Sequence, residues 1–101
     1  MITQDMIKKA YTNGIIQLIE SPEDAGVVCE IGDSFIYFLE DDNEFYDTVE
    51  ECKENVSEED IIRMIYETLC DIYEDGEDDE SVMDDYLYYK DFLKEHGITE
   101  D

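Results

Sequence analysis

The chain is poor in positive charge, proline and histidine, and it has no tryptophan. Its 101 residues include 6 Lys plus Arg, one proline and one histidine. Phosphate backbones are gripped by Lys and Arg, so the scarcity of cations excludes nucleic acid as a direct partner, and anionic membrane with it. The lone histidine, His96, stands near the end of the sequence. There it reads as an exposed residue at a helix C-terminus, a place that favours a cation, and not as a catalytic base. Cys29, Cys52 and Cys70 are odd in number and widely spaced. That pattern gives neither a disulfide framework nor a zinc site, and it fits reduced thiols in a cytoplasm. Cys29 and Cys70 are expected to be buried and Cys52 to be exposed. The five glycines are isolated, so no phosphate-cradling loop is present and no cofactor is expected. No stretch approaches the roughly 20 apolar residues of a membrane span. The opening MITQDMIKKAYTNG is amphipathic and does not read as a signal peptide.

What is abundant is acid. Asp plus Glu number 31, and the formal net charge is -25. Self-repulsion on this scale opposes the compact state, and solubility needs a far smaller imbalance. The partner such a surface fits is a basic protein surface or a cation. Hydrophobic residues still make up 43% of the chain and are spread along it, enough for the core of one small domain.

An ordered pattern of elements runs through the chain. Thr3 reads as an N-cap, Met6, Ile7, Ala10 and Tyr11 recur at helical spacing, and Asn13-Gly14 ends the helix, which spans about residues 4–12. Three short strands are expected at 15–19, 27–31 and 35–39, with turns at Ser21–Gly26 and Gly32-Asp33-Ser34. Strands joined so closely are antiparallel. Val27, Cys29 and Ile31 alternate against Val28 and Glu30, whereas the outer strands are apolar on both sides and their buried face is left open. After a polar 40–44 loop, Thr48 caps a short helix to about Glu54. Ser57, followed by Glu58, Glu59 and Asp60, starts a helix over about 58–74, whose inner face is Ile61, Ile65, Leu69 and Ile72. Residues 74–80 read as an acidic break. A last helix over about 80–95 carries the stripe Val82, Tyr86, Tyr89 and Leu93, with Met83 and Leu87 beside it, and stops at His96-Gly97. The expected fold is a single α+β domain over 1–101. It has an N-terminal helix, a three-stranded antiparallel meander, and two or three helices on one face of the sheet. Its sheet-containing half (about 1–39) carries 6 acids and 2 bases, against 25 acids and 4 bases in the helical half (about 40–101).

Catalytic and metal readings find little footing. Carboxylates are so numerous that no pair stands apart, and a crowd of solvated acids provides no pocket to shift a pKa. The segment starting at Asp71 has Asp75-Gly76 where an EF-hand loop would. Tyr73 occupies its third position and Val82 its twelfth, where a bidentate Glu is required. No metal site and no enzyme activity are expected. Duplex DNA carries one negative charge per roughly 1.7 Å of axis, and a helix advances about 1.5 Å per residue. Carboxylates on the last two helices therefore offer a charge density like that of a phosphate backbone. The candidate partner-binding residues are Glu74, Asp75, Glu77, Asp78, Asp79, Glu80, Asp84, Asp85, Tyr88 and Asp91. Tyr86 and Tyr89 are expected in the core, while Tyr88 lies off the stripe, open to an anchoring role.

Helix, three antiparallel strands and helices in about 100 acidic residues, with Tyr73–Glu80 and Asp84-Asp85-Tyr86 late in the chain, resemble small phage-encoded anti-CRISPR proteins that block Cas9. The resemblance implies a DNA mimic that covers the site where Cas9 reads its protospacer-adjacent motif through arginines. Gly32–Phe38 also resembles a segment of small proteins from bacterial mobile elements. The expected function is an acidic nucleic-acid-mimic inhibitor of a bacterial defence nuclease such as Cas9. The alternatives are an immunity or antitoxin protein neutralising a basic toxin, or an acidic interaction module of a mobile element.

Overall fold

The structure, a computed structural model, describes residues 1–21, 26–36 and 46–99. Helix α1 (Gln4–Thr12) is followed by strands β1 (Gln17–Glu20), β2 (Val27–Ile31) and β3 (Ser34–Ile36), then by helices α2 (Val49–Asn55), α3 (Glu58–Asp78) and α4 (Glu80–Glu95). The sheet order is β1-β2-β3, antiparallel throughout. The expected α+β architecture is the one observed, with three helices after the sheet.

Capping chemistry sets most of the boundaries. The Thr3, Thr48 and Ser57 side chains accept from the backbone N–H groups of Met6, Glu51 and Asp60, each satisfying a donor with no partner inside its helix. Helices α1 and α4 end alike. Gly14 and Gly97 adopt φ of 75° and 82°. The next N–H groups, of Ile15 and Ile98, then reach back to the Ala10 and Leu93 carbonyls at 2.9 Å. This Schellman arrangement needs a left-handed residue, which glycine supplies without a Cβ penalty. It also corrects the first strand: Ile15 belongs to the α1 cap, so β1 starts at Gln17. Strand β3 begins at Ser34, and the expected continuation to 39, the 40–44 loop and most of the Ser21–Gly26 turn lie outside the described residues. The Ser21 N–H nonetheless donates to the Gly26 carbonyl at 2.8 Å, closing the β1–β2 connection.

Register resolves the face that sequence left open. Leu18, Cys29 and Ile36 stand abreast across the three strands, and all three are buried in the main core. Val27 and Ile31 join them. Residues from all seven elements enter this one core, among them Ile7, Cys52, Ile65 and Leu93. Val28, on the opposite side of β2, is also fully buried. Two thiol expectations are corrected: Cys52 is buried, because it is the inward residue of α2, and Cys70 is half-buried on the flank of α3. Burial pushes the Cys29 thiol up to about 12, with the Glu30 carboxylate adding to it. Burial raises the Cys52 thiol as well, partly countered by Lys53.

Tyrosines tie α4 to remote backbone. The buried Tyr86 hydroxyl accepts from the Ile2 N–H at 2.7 Å, and its ring lies 5.0 Å from Tyr73. The Tyr88 hydroxyl accepts from the Asp33 N–H at 2.9 Å, which fixes the β2–β3 turn.

Candidate acidic interface

The expected break over 74–80 shrinks to a single residue. Helix α3 continues through Asp78, and α4 starts at Glu80. Asp79 alone joins them. Its N–H donates to the Asp75 carbonyl as the α3 C-cap, and its carboxylate accepts from the Ser81 N–H at 3.0 Å and hydroxyl at 2.8 Å as the α4 N-cap. Those hydrogen bonds hold the Asp79 carboxyl below its ordinary pKa. Gly76 makes so short a reversal possible. It is buried inside the helix, and a Cβ there would lie 2.9 Å from Met83 Cα and 3.0 Å from Met83 N. The glycine is thus a contact point between two helices and not the loop residue its acidic surroundings suggest.

This hairpin decides where the acids go. Asp75, Glu77, Asp78, Asp79 and Glu80 crowd around the one-residue reversal, all exposed. Behind the tip, Glu67, Asp71, Glu74 and Asp78 follow one another at four-, three- and four-residue spacing along the outer side of α3, opposite Ile61, Ile65 and Leu69. Their rise of about 4.5–6 Å per step compares with 3.4 Å per phosphate along one DNA strand. On α4, Glu80, Asp84, Asp91 and Glu95 fall within about 60° of the helix circumference, opposite Tyr86, Tyr89 and Leu93. Asp85 is exposed but stands about 100° away from Asp84, on the side of Tyr89.

The Arg63 ion pairs lie away from the α3–α4 tip. Arg63 bridges Asp60 at 3.1 Å and reaches Glu67 at 4.0 Å, both in the first half of α3. Among the described residues, no group of His, Cys, Asp and Glu comes together as a metal centre.

Tyr88 has two roles at once. It is 40% exposed beside the acidic stripe of α4, and its hydroxyl is held by the β2–β3 turn. Residues 67, 71 and 95 extend the charged surface beyond the sequence-derived set, because the unbroken α3 aligns Glu67 and Asp71 with Glu74 and Asp78. Leu87, 46% exposed, adjoins the stripe as well. Its place beside the apolar face in the sequence pattern suggested flanking core instead.

No family model, curated protein or solved structure matches this chain. The site therefore stands on its own geometry.

Proposed function

We propose that the protein is an acidic mimic of nucleic acid that inhibits a bacterial defence nuclease, with Cas9 as the first target. The α3–α4 hairpin would enter a basic channel and exclude the nucleic acid that the channel normally holds. The observation that supports this reading is the hairpin tip, where exposed carboxylates cluster around a one-residue turn. A basic channel meeting this edge exchanges its mobile anions for a fixed array of carboxylates, which shed their own counter-cations as a phosphate backbone does. Association steered by such fields is fast and falls steeply with ionic strength.

Competition tests the proposal. Labelled duplex is bound to guide-loaded Cas9, and in parallel to other basic bacterial nucleases, and the protein is titrated in at low salt. Displacement that weakens as salt rises is expected, as is its loss when Asp78, Asp79, Asp84 and Asp85 are replaced by Lys. Failure to displace duplex from any of these enzymes overturns the reading. Displacement unchanged by the four replacements assigns the contact to another surface.

A further inference from the structure

Helix α4 presents more than acid. Leu87, Lys90, Asp91 and Lys94 stand at i, i+3, i+4 and i+7, and together they line one side of a groove of ≈ 440 Å³. Met6 of α1 and Ile98, just past the α4 cap, line it with them. Two of the chain's 6 Lys and Arg therefore meet an apolar surface at one place. We propose that this groove binds a small organic monoanion with an apolar body, of the class of a medium-chain carboxylate. Its head would sit at Lys90 and Lys94 and its body on Leu87. The inference goes beyond the acidic hairpin and does not depend on it.

Three features carry it. First, the groove has a fixed apolar floor. Met6 and Ile98 are core residues, and Ile98 is drawn inward by its N–H bond to the Leu93 carbonyl at 2.9 Å. Leu87, 46% exposed, leaves apolar area in water that a bound hydrocarbon would cover. Second, the lysines name the sign of the head group. Lys94 lies in the last turn of α4 and complements the helix dipole there, but Lys90 stands a turn earlier. Like charges at i and i+4 disfavour a helix, and an anion beside both reverses that effect. Third, the field of the whole chain limits how much charge the occupant carries. Repulsion by a net charge of -25 grows with each negative charge brought in, so a polyanion meets it many times over and a monoanion once. Asp91 on the same rim opposes a second anionic group near the first. Clefts for small ligands run from about 300 to 1,000 Å³, and this groove falls at the lower end of that range.

The probes are acetate, hexanoate and octanoate, with hexylammonium as the control of opposite charge. Each is titrated into the protein at about 0.05 M salt, and amide shifts are followed by NMR. Hexanoate is expected to move the amides around Leu87, Lys94 and Ile98 saturably, with a Kd of about 1–10 mM. Each methylene covered tightens binding by up to about fourfold, so octanoate binds better than hexanoate and acetate least. Lys94→Gln, at an exposed position, is expected to weaken hexanoate about threefold. Leu87→Ser is expected to flatten the dependence on chain length and leave acetate unchanged. No shift with hexanoate at about 50 mM overturns the proposal, as do shifts confined to other parts of the fold. Hexylammonium binding in the groove as well as hexanoate overturns the role of the lysines. A synthetic peptide of alternating glutamate and leucine that outcompetes octanoate there makes an acidic protein segment the occupant and overturns the small anion. None of these measurements involves a nuclease, so the reading of the hairpin tip stands or falls separately.

Discussion

Replacing Gly76 by Ala sets two effects of opposite sign against each other. In an open helix interior the change is favourable by about 0.8–1.0 kcal/mol, because glycine loses more backbone freedom than alanine on ordering. Here the new methyl would sit 2.9 Å from Met83 Cα, 3.0 Å from its N and 3.1 Å from its Cβ. Two of these atoms are backbone and cannot rotate away, so α4 must move as a body. Overpacking of this kind costs about 1–3 kcal/mol, and with backbone in the way the upper part of that range applies. The sum is a net loss of about 1–2 kcal/mol. For a domain of this length each kcal/mol shifts Tm by about 4–8 °C, so scanning calorimetry is expected to show a drop of about 5–15 °C. Glu77→Ala, on the exposed side of the same turn, serves as the helix-surface control and is expected not to lower Tm. A Gly76→Ala protein more stable than the wild type would refute the reasoning. The propensity gain would then be acting alone, and the helices could not cross as closely as a one-residue connection requires.

Two further predictions follow from the core. Tyr86→Phe removes the acceptor of the buried Ile2 N–H and is expected to cost about 1–3 kcal/mol in urea denaturation, by the general penalty for an unpaired buried donor. The native thiol of Cys29 is pushed up to about 12, while the unfolded thiol ionises near 9. The folded state therefore binds the extra proton above pH 9, and stability conferred by this group is expected to fall as pH rises from about 9 to about 12. Wild type and Cys29→Ala compared by urea titration at pH 8 and pH 10.5 check this, with the smaller alkaline loss expected in the variant.

Much of the fold is legible in the sequence because its ends are chemically marked. Thr3, Ser57, Asn13-Gly14 and His96-Gly97 announce helix boundaries by side-chain acceptors and by tolerance of positive φ. The strand β2 alternates because Val27, Cys29 and Ile31 face one core. What was misread depends on contacts across the chain. Gly76 among acids has every local mark of a loop, and only the approach of Met83 explains it as a helix residue. Ile15-Ile16 looks like the start of a strand, yet the Ile15 N–H is committed to the Ala10 carbonyl. Cys52 stands between Val49 and Val56 at i, i+3 and i+7, a short apolar period in a highly charged helix that marks its inward place and is easily passed over. The acidic candidates were legible as exposed positions, those of 74–79 as a break and not as helix. Their gathering at a tip was not, since it follows from the reversal at Asp79. Nor could pattern separate Leu87 from the core, because it borders the apolar stripe by less than one helical turn.

The electrostatic arrangement of the hairpin is costly where it need not be. Helix α3 ends with Glu74, Asp75, Glu77 and Asp78 and has no basic residue in its last turn. Carboxylates there face the negative end of the helix dipole, where Lys or Arg would stabilise by about 0.3–1 kcal/mol each. The N-terminus of α4, one residue away, partly offsets this, since Asp79 and Glu80 lie at its positive end. That offset acts on the α4 side of the turn and leaves the last turn of α3 uncompensated. Substitution of any of these exposed acids by a cation would improve the local field without disturbing a core contact, and the sequence makes no such substitution. An arrangement that local stability disfavours and packing does not demand is the kind of inconsistency expected where a surface answers to something outside the fold. A cationic partner would remove the conflict, and any partner that binds only the folded hairpin must also stabilise it by mass action.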